Sequence, residues 1–132
     1  MAQDFHDLVV WQRAIELTIC IYQLTRSFPK DEVYGLVSQM RRASVSVASN
    51  LAEGRGRLGP AEFRQFLGLA HGSTCEIRTQ LVTARRLAMG DASALGQAES
   101  LAEEISKMLT SFIQTIREGS AQEMRKNKGQ KP

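Results

Sequence analysis

Four stretches of this chain repeat apolar residues at alternating steps of three and four. No other feature constrains the fold as tightly. Such steps hold side chains on one face of an α-helix, and sustaining them over many turns suits helices packed side by side in a left-handed bundle. The first stretch is Val10, Ala14, Leu17, Ile21, Leu24 and Phe28, and the second is Val33, Leu36, Met40, Ala43, Val47 and Leu51. The third runs Phe63, Leu67, Ala70, Thr74, Ile77, Leu81, Ala84 and Ala88; the fourth runs Leu95, Ala98, Ala102, Ile105, Leu109, Phe112 and Ile116. Strand-like alternation appears nowhere.

Three breaks separate these stretches. At Ser27-Phe28-Pro29-Lys30-Asp31, the proline stops one helix, and Asp31 and Glu32 suit the positive start of the next. At Gly54-Arg55-Gly56-Arg57-Leu58-Gly59-Pro60, Gly54 reads as a C-terminal cap. Gly59, Pro60 and Glu62 there read as the cap, first and third positions of a new helix. Gly90-Asp91 is again a glycine stop followed by an acidic cap. The expectation is an all-α, antiparallel up-down four-helix bundle over residues 1–118, with helices at about 8–27, 31–54, 60–89 and 91–118, then a disordered basic tail over 119–132.

A chain of 132 residues, 42% apolar, can bury roughly two-thirds of its unfolded surface without disulfide or metal. Cys20 and Cys75 fall within helical patterns and read as small core hydrophobes in a reducing compartment. The N-terminus lacks a basic start followed by an apolar run, and the uncharged stretch Ala43 to Ala52 falls far short of the ~20 residues of a membrane span. A cytoplasmic protein without membrane contact is expected. The net charge of +3 is uneven along the chain. Residues 1–118 carry 13 basic and 13 acidic side chains, so Arg125, Lys126, Lys128 and Lys131 of the tail, against Glu123, supply the excess. Within the body, residues 33–90 are basic at +5, flanked by acidic segments at −2 and −3.

Two helices carry more apolar surface than a lone bundle needs. Trp11, Ile15, Ile19 and Tyr22 in the first, and Tyr34, Val37, Val45 and Ala48 in the second, lie away from the core stripes and suggest an interface between subunits. A polar stripe runs beside the second helix's seam through Gln39, Arg42, Ser46, Asn50 and Glu53, answered on the third by Gln65, Ser73 and Glu76. It reads as a buried hydrogen-bonded network, with Arg42 close to Ser73 and Glu76.

Chemistry finds little footing. His6 and His71 are the only histidines, the Glu-x-x-His motif of carboxylate metal bundles is missing, and the Gly54–Arg57 turn has no Gly-Lys-Ser/Thr. Catalytic residues, metal and cofactors are therefore not expected. Arg64, His71, Arg78 and Arg85, however, recur every seven residues on the third helix, along about 30 Å of one face. Arg86, Arg41, Arg55 and Arg57 can extend that row, which suits nucleic-acid phosphates. A solvated face pairing with Glu99, Glu103 and Glu104 is the competing account, and a scaffold docking an acidic or helical protein partner the alternative function.

Several motifs occur in order: Phe5-x-Asp7-Leu8-x-Val10-Trp11, Phe28-Pro29-x-x-Glu32-x-Tyr34-Gly35-Leu36, Gln39-x-Arg41-Arg42-Ala43-x-x-Ser46, Asn50-x-Ala52-Glu53-Gly54, Glu62-Phe63-x-x-Phe66-Leu67 and Ala70-x-Gly72-Ser73-x-x-Glu76. Together, over about residues 5–90, they resemble the four helix bundle protein family, also called 23S rRNA intervening sequence proteins. The resemblance implies a homo-oligomer, a pentameric ring, and a link to RNA. It also implies kinship with accessory proteins of diversity-generating retroelements, which bind nucleic acid and a reverse transcriptase. Ala48 stands where members often carry proline, and Gly59 where a serine or threonine cap is usual.

Overall fold

The computed structural model describes residues 4–129 and forms an all-helical bundle of four α-helices. They are α1 (Val9–Thr25), α2 (Ser38–Arg55), α3 (Pro60–Arg86) and α4 (Ala92–Gly129). Helix α1 packs on α2, α2 on α3, α3 on α4 and α4 back on α1, closing a ring of antiparallel neighbours. The stripes read from the sequence fill its centre. Leu17, Ile21 and Leu24 of α1, Met40, Val47 and Leu51 of α2, Leu67, Ile77 and Leu81 of α3, and Ile105 and Leu109 of α4 are all fully buried. Each such side chain contributes about 1.5–3 kcal/mol relative to exposure.

The helix ends depart from expectation in instructive ways. A 3₁₀ turn at Lys30–Glu32 and a wide turn at Val33–Val37 precede α2, so the regular helix begins at Ser38 rather than 31. The Glu32 carboxylate accepts the Leu36 N–H (3.1 Å), the donor that a regular helix would give to the Glu32 carbonyl, and Gly35 sits at φ −105°, ψ −111°. Gly54 is not a cap. It lies buried inside α2, where a Cβ would fall 2.5 Å from that of Phe66, so it lets α3 come close. Gly56 ends the helix instead, its N–H reaching the carbonyls of Ala52 and Glu53 at 3.2 Å. Ala48 is buried within an unbroken α2.

Helix α3 starts as expected, with Gly59 extended and Pro60 first. It stops at Arg86, three residues early. Ala88 turns to φ +54°, and the N–H groups of Met89 and Ala88 return to the carbonyls of Ala84 (2.9 Å) and Arg85 (3.1 Å). Gly90 follows at φ +82°, where a Cβ would strike Leu24 of α1 and Phe28 just beyond it at 2.8 Å. The Asp91 carboxylate then accepts the Ala94 N–H at 2.9 Å, capping α4.

Helix α4 continues to Gly129, past the expected end at 118. Ala121, Gln122, Met124, Arg125 and Lys126 favour helix, and lengthening a formed helix is easier than nucleating one. Lys131 and the side chain of Lys128 lie outside the described residues. With 38 residues, α4 is about 57 Å long and outruns α1, whose 17 residues span about 26 Å. Among the described residues, no helix is long and apolar enough to cross a membrane.

The second apolar face is narrower than the sequence suggested. Val37 and Ala48 are buried in the bundle itself. Trp11 and Ile15 pack partly on the core, and the Trp11 ring meets Phe5 and His6 edge-on (5.2 and 5.1 Å), from the turn Phe5–Asp7 folded over it. Ile19 (52%), Tyr22, Val45 (44%) and Tyr34 (97%) remain exposed. Cys20 is half-buried, and burial pushes its thiol above the ordinary range; Cys75 is exposed, not a core residue as expected.

Candidate functional site

The polar stripe between α2 and α3 is real but short. The Ser46 and Ser73 hydroxyls lie 2.9 Å apart, and the Asn50 amide donates to the Ser46 carbonyl (2.8 Å) and hydroxyl (3.0 Å). All three are half-buried. The remaining members, Gln39, Arg42, Glu53, Gln65 and Glu76, are exposed, and Arg42 and Glu76 form no ion pair with each other among the described residues. The expected buried charge pair is thus replaced by three neutral side chains. Where the backbones approach closely only short groups fit between them, while long charged side chains carry their tips out to water. Gln80, also on this stripe, is 94% buried by its 6% exposure, and neither amide atom finds a partner among the described residues.

The row on α3 lies along its other flank, facing α4. Arg85 grips Glu99 through two bonds (2.6 and 3.0 Å). Those hydrogen bonds hold the Glu99 carboxyl below the ordinary carboxylate range and raise the Arg85 guanidinium in turn. One turn pair further on, Arg78 donates to the Ser106 hydroxyl (3.3 Å), forming no ion pair among the described residues, and His71 lies beside the Thr110 hydroxyl (3.3 Å). At the start of α3, Arg64 and Arg117 line one cleft of about 510 Å³ together with Ala61, Gln65, Gly68 and Ile113. Among the described residues neither of these arginines takes part in an ion pair. The row therefore changes character along its length, closed by a carboxylate at Arg85 and open at Arg64.

The competing account holds for one member only. Glu104 reaches Arg13 of α1 (3.2 Å), and Glu103 pairs with Lys107 (3.3 Å) rather than with an α3 arginine. Arg117 was missed in the sequence. Helices hinged near residue 90 bring together positions whose numbers sum to about 181–184, as in Arg85 with Glu99, Arg78 with Ser106 and His71 with Thr110. That sum assigns Arg117 to Arg64.

Four other candidates sit apart from the row. Arg41 is half-buried on the α1 side, with its guanidinium over the Tyr22 ring (4.6 Å) and donating to Thr25 (3.0 Å), so it does not extend the row as expected. Arg55, the last residue of α2, and Arg57, in the turn to α3, lie over Phe63 (5.4 Å) and Phe66 (5.0 Å), and Arg57 also bonds Glu53 at 3.0 Å. Arg86 is exposed near the α3 C-terminus. The Cys75 thiol approaches His71 at 3.9 Å, a neighbour the sequence reading did not credit, but among the described residues no three metal-binding side chains converge.

Residues 6–111 match the model of a family described as 23S rRNA-intervening sequence protein. The match runs beyond the motifs read from the sequence and takes in the packed part of α4, ending before Arg117. A crystal structure of a protein with unknown function from the S23 ribosomal protein family of Bacteroides thetaiotaomicron has the same fold, with a TM-score of 0.73 at 21% identity over 80% of this chain and 96% of that one. No curated protein matches the chain.

Proposed function

We infer that this chain, which belongs to the 23S rRNA-intervening sequence protein family, is a non-enzymatic bundle that associates with copies of itself and binds nucleic acid along the open half of the α3–α4 face. The observation that carries the binding is the pair Arg64 and Arg117, two cations on one cleft without a carboxylate between them. Arg78, bonded to the Ser106 hydroxyl, continues the positive line toward the bundle's middle, with His71 one step further along beside Thr110. Like charges brought together repel, and phosphate oxygens relieve that repulsion while releasing counterions. The exposed Ile19, Tyr22 and Val45 favour self-association, for which the family resemblance suggests five copies.

The test is RNA affinity across a salt series, for the parent, for Arg64→Gln with Arg78→Gln, and for a chain ending at Glu118, with light scattering on each. Affinity should fall linearly in log salt for the parent, and the double variant should lose about 1.4 of the slope on single strands. If only the shortened chain loses binding, the end of α4 is the whole site. A parent without salt-dependent binding, and monomeric with Ile19, Tyr22 and Val45 open, supports a scaffold for another helical protein instead.

A further inference from the structure

Resting on that nucleic-acid reading, we propose that the end of the bundle where α3 begins takes single-stranded nucleic acid, with phosphates between Arg64 and Arg117 and bases laid against Arg55 and Arg57. The four arginines flank the first turns of α3 on opposite sides. Arg64 and Arg117 stand on the α4 flank, and Arg55 and Arg57 on the α2 flank, where α2 and α3 meet through Gly54 and Phe66. A helix with its side chains is about 10–12 Å across, a span that roughly three stacked nucleotides cover at ~3.4 Å each.

Two features favour an unpaired strand over a duplex. First, Arg55 over Phe63 and Arg57 over Phe66 are guanidinium planes backed by rings (5.4 and 5.0 Å). Guanidinium planes and aromatic faces accept any nucleobase, but only a base that is not already stacked inside a helix. Leu58, fully exposed in the turn next to Arg57, offers an apolar side chain that a base can cover. Secondly, a duplex tracking the whole face would meet carboxylates, since Glu99 and Glu103 line the groove beside Arg78. A strand bending over one end of α3 avoids them. The nearby carboxylates are already engaged or weakly held: Glu118 accepts from Gln114 (3.1 Å), and the exposed i,i+4 pair of Glu53 with Arg57 is the kind that phosphates displace. Glu62, in the first turn, is the one carboxylate that a strand must pass. The N-terminus of α3 between the pairs adds the positive end of a helix dipole.

The experiment is fluorescence anisotropy of the full chain with a labelled 20-nucleotide oligouridylate and with a 20-base-pair RNA duplex, each across a salt series. The variants are Arg64→Gln/Arg117→Gln, Arg57→Lys and Arg85→Gln, with circular dichroism melts to establish that each folds. The single strand should bind at least several-fold tighter than the duplex. The Arg64/Arg117 variant should lose about 1.4 of the single-strand salt slope. Arg57→Lys keeps the charge but not the plane, so it should weaken single-strand binding several-fold at an unchanged slope. Arg85→Gln should match the parent. Equal affinity for the duplex, an Arg57→Lys variant that binds like the parent, or an undiminished slope in the Arg64/Arg117 variant overturns the proposal while leaving nucleic-acid binding in place. A parent that binds neither RNA in a salt-dependent way removes both.

Discussion

Toward α2, helix α3 meets short side chains and a glycine: Ser73 bonds Ser46, and Phe66 sits over Gly54. Toward α4, the same helix extends arginines that reach Glu99 and Ser106 or, at Arg64, no ion-pair partner among the described residues. The first flank is tight because a missing Cβ and small hydroxyls let the backbones approach. The second carries long side chains at its surface, which line clefts open to solvent. Closeness fixes register, and looseness leaves charge available, so one helix can serve both stability and recognition from its two sides.

The sharpest break of that contrast is Gly54→Ala. Alanine favours helix by about 1 kcal/mol over glycine, yet its Cβ would lie 2.5 Å from that of Phe66, and overpacking of this kind typically costs about 1–3 kcal/mol. Urea unfolding should show a lower midpoint. Gly68→Ala and Gly72→Ala, on α3 but in open space, should raise it by up to about 1 kcal/mol each. Equal effects at all three glycines would erase the distinction between a tight flank and a loose one.

A smaller effect is expected at the outer rim of the tight flank. Arg42→Met and Glu76→Gln should each change stability by no more than about 0.5 kcal/mol, because both side chains are exposed. Losses of about 3–5 kcal/mol in the same melts would mean a buried pair after all.

The smallest effect concerns the closed end of the loose flank. Arg85 depresses the folded-state pKa of Glu99, so the pair's contribution is present above the ordinary carboxylate pKa and is lost as pH falls through the lowered value. Carboxyl-detected NMR should place the Glu99 midpoint below the ordinary 4.5, and Arg85→Gln should return it there. A Glu99 midpoint indifferent to Arg85 would leave that arginine as open as Arg64.

How much of this was legible beforehand follows from what each feature depends on. The four apolar stripes place Leu17, Met40, Leu67 and Ile105 in the core directly, since period and burial are one property seen twice. Pro60 and Asp91 act locally, and their caps are where the sequence suggests. The start of α2 was hidden because Glu32 takes the Leu36 N–H with its side chain, a choice between two acceptors on one residue. Gly54 looked like a cap because glycine serves both as a stop and as a point of approach, and only the position of Phe66 separates the two. The stripe from Gln39 to Glu76 was legible as polar, but its depth was not. Side-chain length decides which members reach water, and seven-residue spacing does not reveal which of Arg64, Arg78 and Arg85 meets a carboxylate across the groove.

The central claim is that the α3–α4 face is open to phosphates at its Arg64–Arg117 end and closed at Arg85. It is tested most directly by following assigned arginine Nε–H resonances while a single-stranded RNA is added. The account predicts that the Arg64 and Arg117 signals shift first, with Arg78 following, while that of Arg85 stays in place. Movement of Arg85 with Arg64 and Arg117 unmoved would contradict it.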